Sequence, residues 1–332
     1  MKFKLVILFM ITILFSCKKQ VELIDGLNFF NGVSDLLEDN NHNILFLSNL
    51  KDFNNIITLC FIKSSGDILR IYPVEKYLNV DVNSDYIRLF ESKPNTYLLY
   101  ESRGTTITIE TFNDINLVTK NEFSRDKNSI GSLFNIGDNS RSIYLRGHKL
   151  NPSNYIKNYK CNYYILDSDL IIKSQGLIDL GDLYPEHLTL YNRSIFYTVD
   201  NQLLKTSIDS LETESIYNFE NDVIQLYTTS NYLYVLLKNS IHIFDKSGII
   251  IKSFNLLGDL EGYYATDIVT HTESTITVHL KNSGKNIFKV FSIHGNPISE
   301  NIVDDIDILN SYIYQNRLLI YSTKSSIYLK DL

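Results

Sequence analysis

The sequence predicts an all-β chain assembled from a repeated four-stranded unit, and three observations predict it. Beyond residue 30, short runs rich in Ile, Leu, Tyr, Val and Thr are separated by Asn, Asp, Ser and Gly, and no long amphipathic helical pattern appears. One segment, 223–254, divides into four strands. The same grammar then recurs at a near-constant spacing along the chain.

In the segment 223–254 the strands are Val223–Tyr227, Tyr232–Leu237, Ile241–Phe244 and Ile249–Phe254. Asp245-Lys246-Ser247-Gly248 joins the last two: Asp opens such a turn with its side chain and Gly takes the left-handed position. The second strand recurs at Ile44–Leu47, Tyr97–Tyr100, Ile143–Leu145, Ile195–Tyr197, Leu233–Leu236, Ile276–Val278 and Leu318–Ile320, about 46 residues apart on average. Turns between third and fourth strands recur at Ser64-Ser65-Gly66, Asn113-Asp114, Asp167-Ser168, Asp209-Ser210, Ser247-Gly248 and His294-Gly295. Four strands repeating with this period are the arithmetic of a β-propeller of antiparallel blades. Seven blades are counted; the unit around Ile195–Tyr217 is the weakest and the last lacks a fourth strand, so six is the alternative. Val21–Leu27 stands where that missing strand belongs. The N-terminal strand is therefore expected to complete the last blade and close the ring, which removes an open edge. Residues 21–332 are then one propeller domain.

Composition agrees and excludes other classes. A hydrophobic fraction of 44% with 21% charged residues makes a core-forming chain. The net charge of −7 provides no basic field for nucleic acid. Tyr (23) and Phe (18) are abundant while Trp is absent, and the expected use of these rings is packing between blades, with Tyr hydroxyls at the wet rims.

The first residues carry an address. Lys2 and Lys4 precede an apolar stretch, Leu5 to Phe15, that is too short to span a bilayer of ~30 Å as a helix, so it reads as a secretory signal peptide. Leu14-Phe15-Ser16-Cys17 resembles the lipobox of bacterial lipoproteins. The resemblance implies cleavage after residue 16 and acylation of Cys17, with 17–20 as lipidated Cys and short tether. More than one acyl chain makes a stable anchor in the lipid bilayer. Loss of Lys2 and Lys4 takes the net charge from −7 to −9. The implied location is exported and membrane-anchored, at the outer membrane. Lys18-Lys19-Gln20 lacks the acidic residues of surface-export signals, which favours the periplasmic side.

The turn and strands of 241–254 resemble the repeats of six-bladed propeller lipoproteins of Bacteroidota and, more loosely, NHL-type propellers. In motif detail the resemblance rests on Phe244, Asp245, Gly248 and the apolar strand positions. It implies an extracytoplasmic, non-catalytic propeller.

A search for chemistry finds no GxSxG, HExxH, Walker A or GxGxxG pattern, no metal-ligand spacing and no cofactor motif. The seven His are scattered and read as structural. Cys60 and Cys161 lie in apolar strand-like runs and read as small buried hydrophobes. Asp304, Asp305 and Asp307 alternate along a predicted first strand of the last blade and read as its solvent side. Asp35, Asp167 and Asp169 read as turn or loop residues, and Asp209-Ser210-Leu211 resembles a short O-glycosylation sequon of Bacteroidota.

One segment departs from the acidic background. Residues 146–160 form a long insertion between the second and third strands of the third unit, with Arg146, His148, Lys149, Tyr155, Lys157, Tyr159 and Lys160 and no acid. Such a loop shares a rim with the blade-to-blade connections and is the candidate binding element for an anionic group or a partner protein. The function expected is a binding or scaffolding module for an envelope protein, peptide or polymer. The alternative is a propeller hydrolase or lyase acting on glycan or peptide in the central channel.

Overall fold

The computed structural model describes residues 20–331 apart from 25–29, 39–40, 51–55, 64, 66, 75–86, 94–95, 104, 114–115, 127, 137–141, 147–157, 183, 272–273, 305–307, 309, 315–317 and 323–326. The strands are β1 (Gln20–Ile24), β2 (Phe30–Glu38), β3 (Asn43–Leu50), β4 (Ile56–Lys63), β5 (Ile68–Pro73), β6 (Ile87–Lys93), β7 (Thr96–Arg103), β8 (Thr106–Asn113) and β9 (Asn116–Ser124). They continue as β10 (Gly131–Ile136), β11 (Ser142–Arg146), β12 (Lys160–Leu166), β13 (Ile172–Asp179), β14 (Leu188–Tyr191), β15 (Ser194–Val199), β16 (Gln202–Ser207), β17 (Thr213–Asn218), β18 (Val223–Thr228) and β19 (Leu233–Leu237). The rest are β20 (Ser240–Phe244), β21 (Ile250–Asn255), β22 (Tyr264–His271), β23 (Thr275–Asn282), β24 (Lys285–Ser292), β25 (Pro297–Asp304), β26 (Asn310–Tyr314), β27 (Leu318–Ser322) and β28 (Ile327–Asp331).

All of them join four-stranded sheets, which divide between two compact units. The unit Asn83–Ile306 is a propeller body of five blades: β6–β9, β10–β13, β14–β17, β18–β21 and β22–β25. The second unit, from the two ends of the chain, holds the sheet β2–β5 and the sheet ordered β1-β28-β27-β26. The expectation of seven blades, or six, is thus corrected to five in the propeller body. A repeat period counts strands along the chain; it carries no information about which sheets share a core.

Within the propeller body the middle strands are the most buried and the fourth strands the least. β15 and β19 are buried along their whole length, because each is covered on both faces. The fourth strands β17 and β21 are exposed along nearly theirs. The seams between sheets are filled by side chains from both neighbours: Tyr191, Phe196 and Leu203 meet Val223, Leu233 and Phe244. Tyr191, Tyr197, Tyr234, Phe196 and Phe244 are among the largest fully buried side chains, so these rings do pack the blades. Each such ring removes about 150–250 Å² from water.

Turn chemistry follows the sequence. The Asp245 carboxylate accepts hydrogen bonds from the Ser247 N–H (2.9 Å), the Ser247 hydroxyl (2.6 Å) and the Ile249 N–H (2.9 Å), while Gly248 takes φ +92°. Asp167 repeats the pattern with the N–H groups of Asp169 and Ile171. Arg193 grips Asp209 through two nitrogens, which pins the next such turn. In the second unit β1 pairs antiparallel with β28, Gln20 opposite Lys330, and so supplies the fourth strand of the last sheet.

Two strand assignments change. Asp304 ends β25, a fourth strand, and does not begin the last sheet, whose first strand starts at Asn310; Asp305 and Asp307 lie outside the described residues. More consequentially, the third unit is reordered. Its sheet runs β11-β10-β12-β13, with β10 and β12 parallel and β11 at the edge. Ile143–Leu145 is therefore an edge strand and not the second strand of a meander. Alternation of apolar residues identifies a strand but not its partner.

Candidate functional site

The reordered sheet places the basic insertion. Arg146 ends β11 opposite Gly131, and Cys161 at the start of β12 also lies opposite Gly131. The end of β11 and the start of β12, which segment 147–159 joins, therefore lie at the same end of the sheet. The connection from β9 also enters β10 at that end. The crossing spans two strand spacings, about 10 Å, which three or four residues cover. The insertion is far longer than its topology requires.

Of the candidate residues, Tyr159 and Lys160 are half-buried at the foot of the insertion. Tyr159 is fixed by backbone bonds in both directions, its N–H to the Gly181 carbonyl (2.7 Å) and its carbonyl from the Leu180 N–H (2.7 Å). Its ring meets Tyr184 edge-on at 5.1 Å. The Lys160 carbonyl accepts from the Ile130 N–H at 2.8 Å. Arg146 closes β11, and its side chain lies outside the description. His148, Lys149, Tyr155 and Lys157 also lie outside the described residues, as does Cys17.

Beneath this foot is a residue that sequence reasoning missed. Arg125 is buried, donating from Nε to the Ser129 hydroxyl (3.1 Å) and from Nη2 to the Ser129 carbonyl (2.9 Å). Asn162 donates to the same hydroxyl at 2.6 Å, and Ser129 donates to the Asp126 carbonyl at 2.8 Å. The network ties the β9–β10 connection to β12. Burial pushes the Cys161 thiol far above its ordinary range, with the Arg125 charge opposing. The Tyr164 hydroxyl, also near Arg125, donates to the Ser124 carbonyl and is pushed up to about 12 by burial. A lone Arg between Ser124 and Asp126 carries no signal of burial; only the fold buries it.

The carboxylates Asp126, Asp182 and Glu186 stand exposed in the connections at this end.

Elsewhere ionisable groups serve structure. The inner strands of three blades are joined by hydroxyls: Ser142 Oγ contacts Thr189 Oγ1, which lies 3.3 Å from Thr228 Oγ1, and the Leu190 N–H donates to Ser142 at 2.9 Å. His187 Nε2 lies 2.9 Å from the Val223 carbonyl, a stitch between blades. His279 stacks on Phe288 and lies 2.8 Å from the Asn286 side chain and 2.9 Å from the Thr266 hydroxyl. Burial lowers the pKa of both rings, and of His242, which favours their neutral forms. His242 Nδ1 is 2.8 Å from the Ser253 hydroxyl, but its Nε2 faces the Ser240 hydroxyl at 3.5 Å where a hydrolase triad would place a carboxylate. Cys60 and Cys161 are free and buried, and burial pushes the Cys60 thiol up to about 12. Among the described residues no group of three His, Cys, Asp or Glu could hold a metal ion.

No family model and no curated protein matches the sequence. Solved structures do match in fold. A chain of the mitotic checkpoint complex is 10% identical over 95% of this chain and 93% of its own, with a TM-score of 0.56. The WD40 domain of Pan2 from Neurospora crassa is 7% identical over 94% and 96%, with a TM-score of 0.53. The extracellular domain of the one-component system BT4673 from B. thetaiotaomicron is 11% identical over 94% of this chain and 40% of that one, with a TM-score of 0.52. Such distant likenesses establish architecture alone, and with the blade topology above they identify this chain as a β-propeller.

Proposed function

We propose that this chain is a lipid-anchored, extracytoplasmic β-propeller that acts as a non-catalytic binding or scaffolding module for a protein, peptide or polymer of the cell envelope. Residues 1–16 direct export and are removed, Cys17 is acylated, and residues 21–332 are the module it carries at the outer membrane, on its periplasmic side. The observation that carries the reading is the surplus length of the 147–159 connection, which joins strand ends near a blade-to-blade connection and contains two Lys, two Tyr and one His. Arg146, His148, Lys149, Tyr155, Lys157, Tyr159 and Lys160 are its contact residues, and its partner presents carboxylate or phosphate groups. The alternative, a hydrolase or lyase in a central channel, needs ionisable groups converging between inner strands. Among the described residues of three neighbouring blades, the groups that meet between these strands are the hydroxyls of Ser142, Thr189 and Thr228.

The test replaces 148–157 with a Gly/Ser linker, leaving Tyr159 and Lys160 to hold the fold. Partners crosslinked and captured from envelopes with the parent chain should be lost from the variant while its thermal midpoint stays unchanged. An unchanged partner set would remove the insertion as the binding element.

A further inference from the structure

We infer that the end of the β1-β28-β27-β26 sheet carrying Gln20 and Lys330 lies against the surface of the lipid bilayer, so that the opposite end of this sheet points away from the membrane. The inference rests on the proposed acylation of Cys17 and adds to it an orientation.

The argument is one of reach. β1 begins at Gln20, three residues after Cys17. Three trans peptide steps span at most about 11 Å between Cα atoms. The acylated residue sits where the hydrocarbon begins, and the headgroup layer above it is about 6 Å thick. Only about 5 Å of chain then remains between the headgroups and the first hydrogen-bonded residue of the sheet. Many anchored domains swing on a long linker; this one has no slack to do so.

Register says which end is held. Gln20 is opposite Lys330, and Asp331 is opposite Leu318, so the start of β1, the end of β28 and the start of β27 share one end. Ile24, Ile327 and Ser322 share the other. Four residues of strand separate the two, about 13 Å. Lys18 and Lys19 follow Cys17 directly in the sequence, and cations next to an acylated residue are drawn to anionic lipid.

The test uses the lipidated full chain, purified from membranes and reconstituted into vesicles of phosphatidylethanolamine and phosphatidylglycerol containing a headgroup-nitroxide lipid. Single cysteines at Lys330→Cys and Ser322→Cys are labelled with a fluorophore; Cys60 and Cys161 are buried and Cys17 carries the lipid. Asp331→Cys replaces the first variant should that one misfold. The expected result is loss of fluorescence at 330 or 331 and none at 322. A Gly/Ser insertion of 12 residues after Lys19 should abolish that loss without releasing the protein. Equal quenching at both ends in a vesicle-bound protein would overturn the orientation alone. A full chain that carries no diacylglycerol by mass and does not pellet with vesicles would overturn the anchor and the orientation with it.

Discussion

Gly295 sits in the turn between β24 and β25 at φ +82°, where an added Cβ would come 2.6 Å from Cγ of Phe254 in the neighbouring blade. Gly181 has a similar φ of +86° but open space around it. The two positions separate backbone strain from packing. Gly181→Ala should cost only the left-handed penalty, about 1–2 kcal/mol. Gly295→Ala should cost that plus about 1–3 kcal/mol for displacing a ring that packs on Phe291. Urea denaturation of both variants checks the difference, and equal losses would show that the seam yields freely. The same scale explains why Arg125 was illegible in sequence as a structural anchor. It is a single charged residue whose burial depends on strands distant in the chain. Asp245 and Gly248, in contrast, act on residues within four positions, and were legible.

At the scale of elements, the turn between β20 and β21 rests on the Asp245 carboxylate. Its three hydrogen bonds hold its pKa below the usual carboxylate range, led by the Ser247 hydroxyl. A carboxylate with a depressed folded pKa stabilises fully above its unfolded value of about 3.9 and loses that contribution as pH falls through the folded value. Asp245→Ala should therefore destabilise by about 1 kcal/mol at pH 7. The gap to the parent should begin to narrow as the pH falls below about 3.9 and close only below the folded value. Asp245→Asn retains an acceptor and should lose less at pH 7. A series of melts from pH 7 downward measures both effects; a gap that does not narrow at all in acid would assign the cost to something other than the charged turn. The reordered sheet β11-β10-β12-β13 is the element-scale feature that sequence hid. Its β10–β12 pairing is parallel and non-local, while on the other side of β10 Gly131 leaves room beside the Leu145 carbonyl and the Tyr144 ring of β11. A glycine before an apolar run reads equally well as an ordinary turn residue.

For the whole molecule, the sheet built from both chain ends makes a prediction of its own. Deleting residues 20–24 leaves β28 with a free edge. The shortened chain should melt at lower temperature and self-associate, seen by calorimetry and light scattering. A deletion that stays monomeric with an unchanged midpoint would show that β1 is dispensable. The two compact units also imply that unfolding need not be one transition.

Sequence alone determined the all-β class, the four-strand repeat, the Asp- and Gly-based turns and the aromatic seams, because period-2 patterning and turn chemistry are local properties of a strand and its neighbours. It also singled out the one basic insertion in an acidic chain. The completion of the last sheet by the first strand was legible too, from the strand missing at one end of the chain and the spare one at the other. Tertiary structure decided the rest: five blades in the propeller body rather than seven, an edge position for β11, and the burial of Arg125. Each of these is a pairing between residues far apart in the chain, and the energy that selects it resides in burial and hydrogen bonds that no single segment contains.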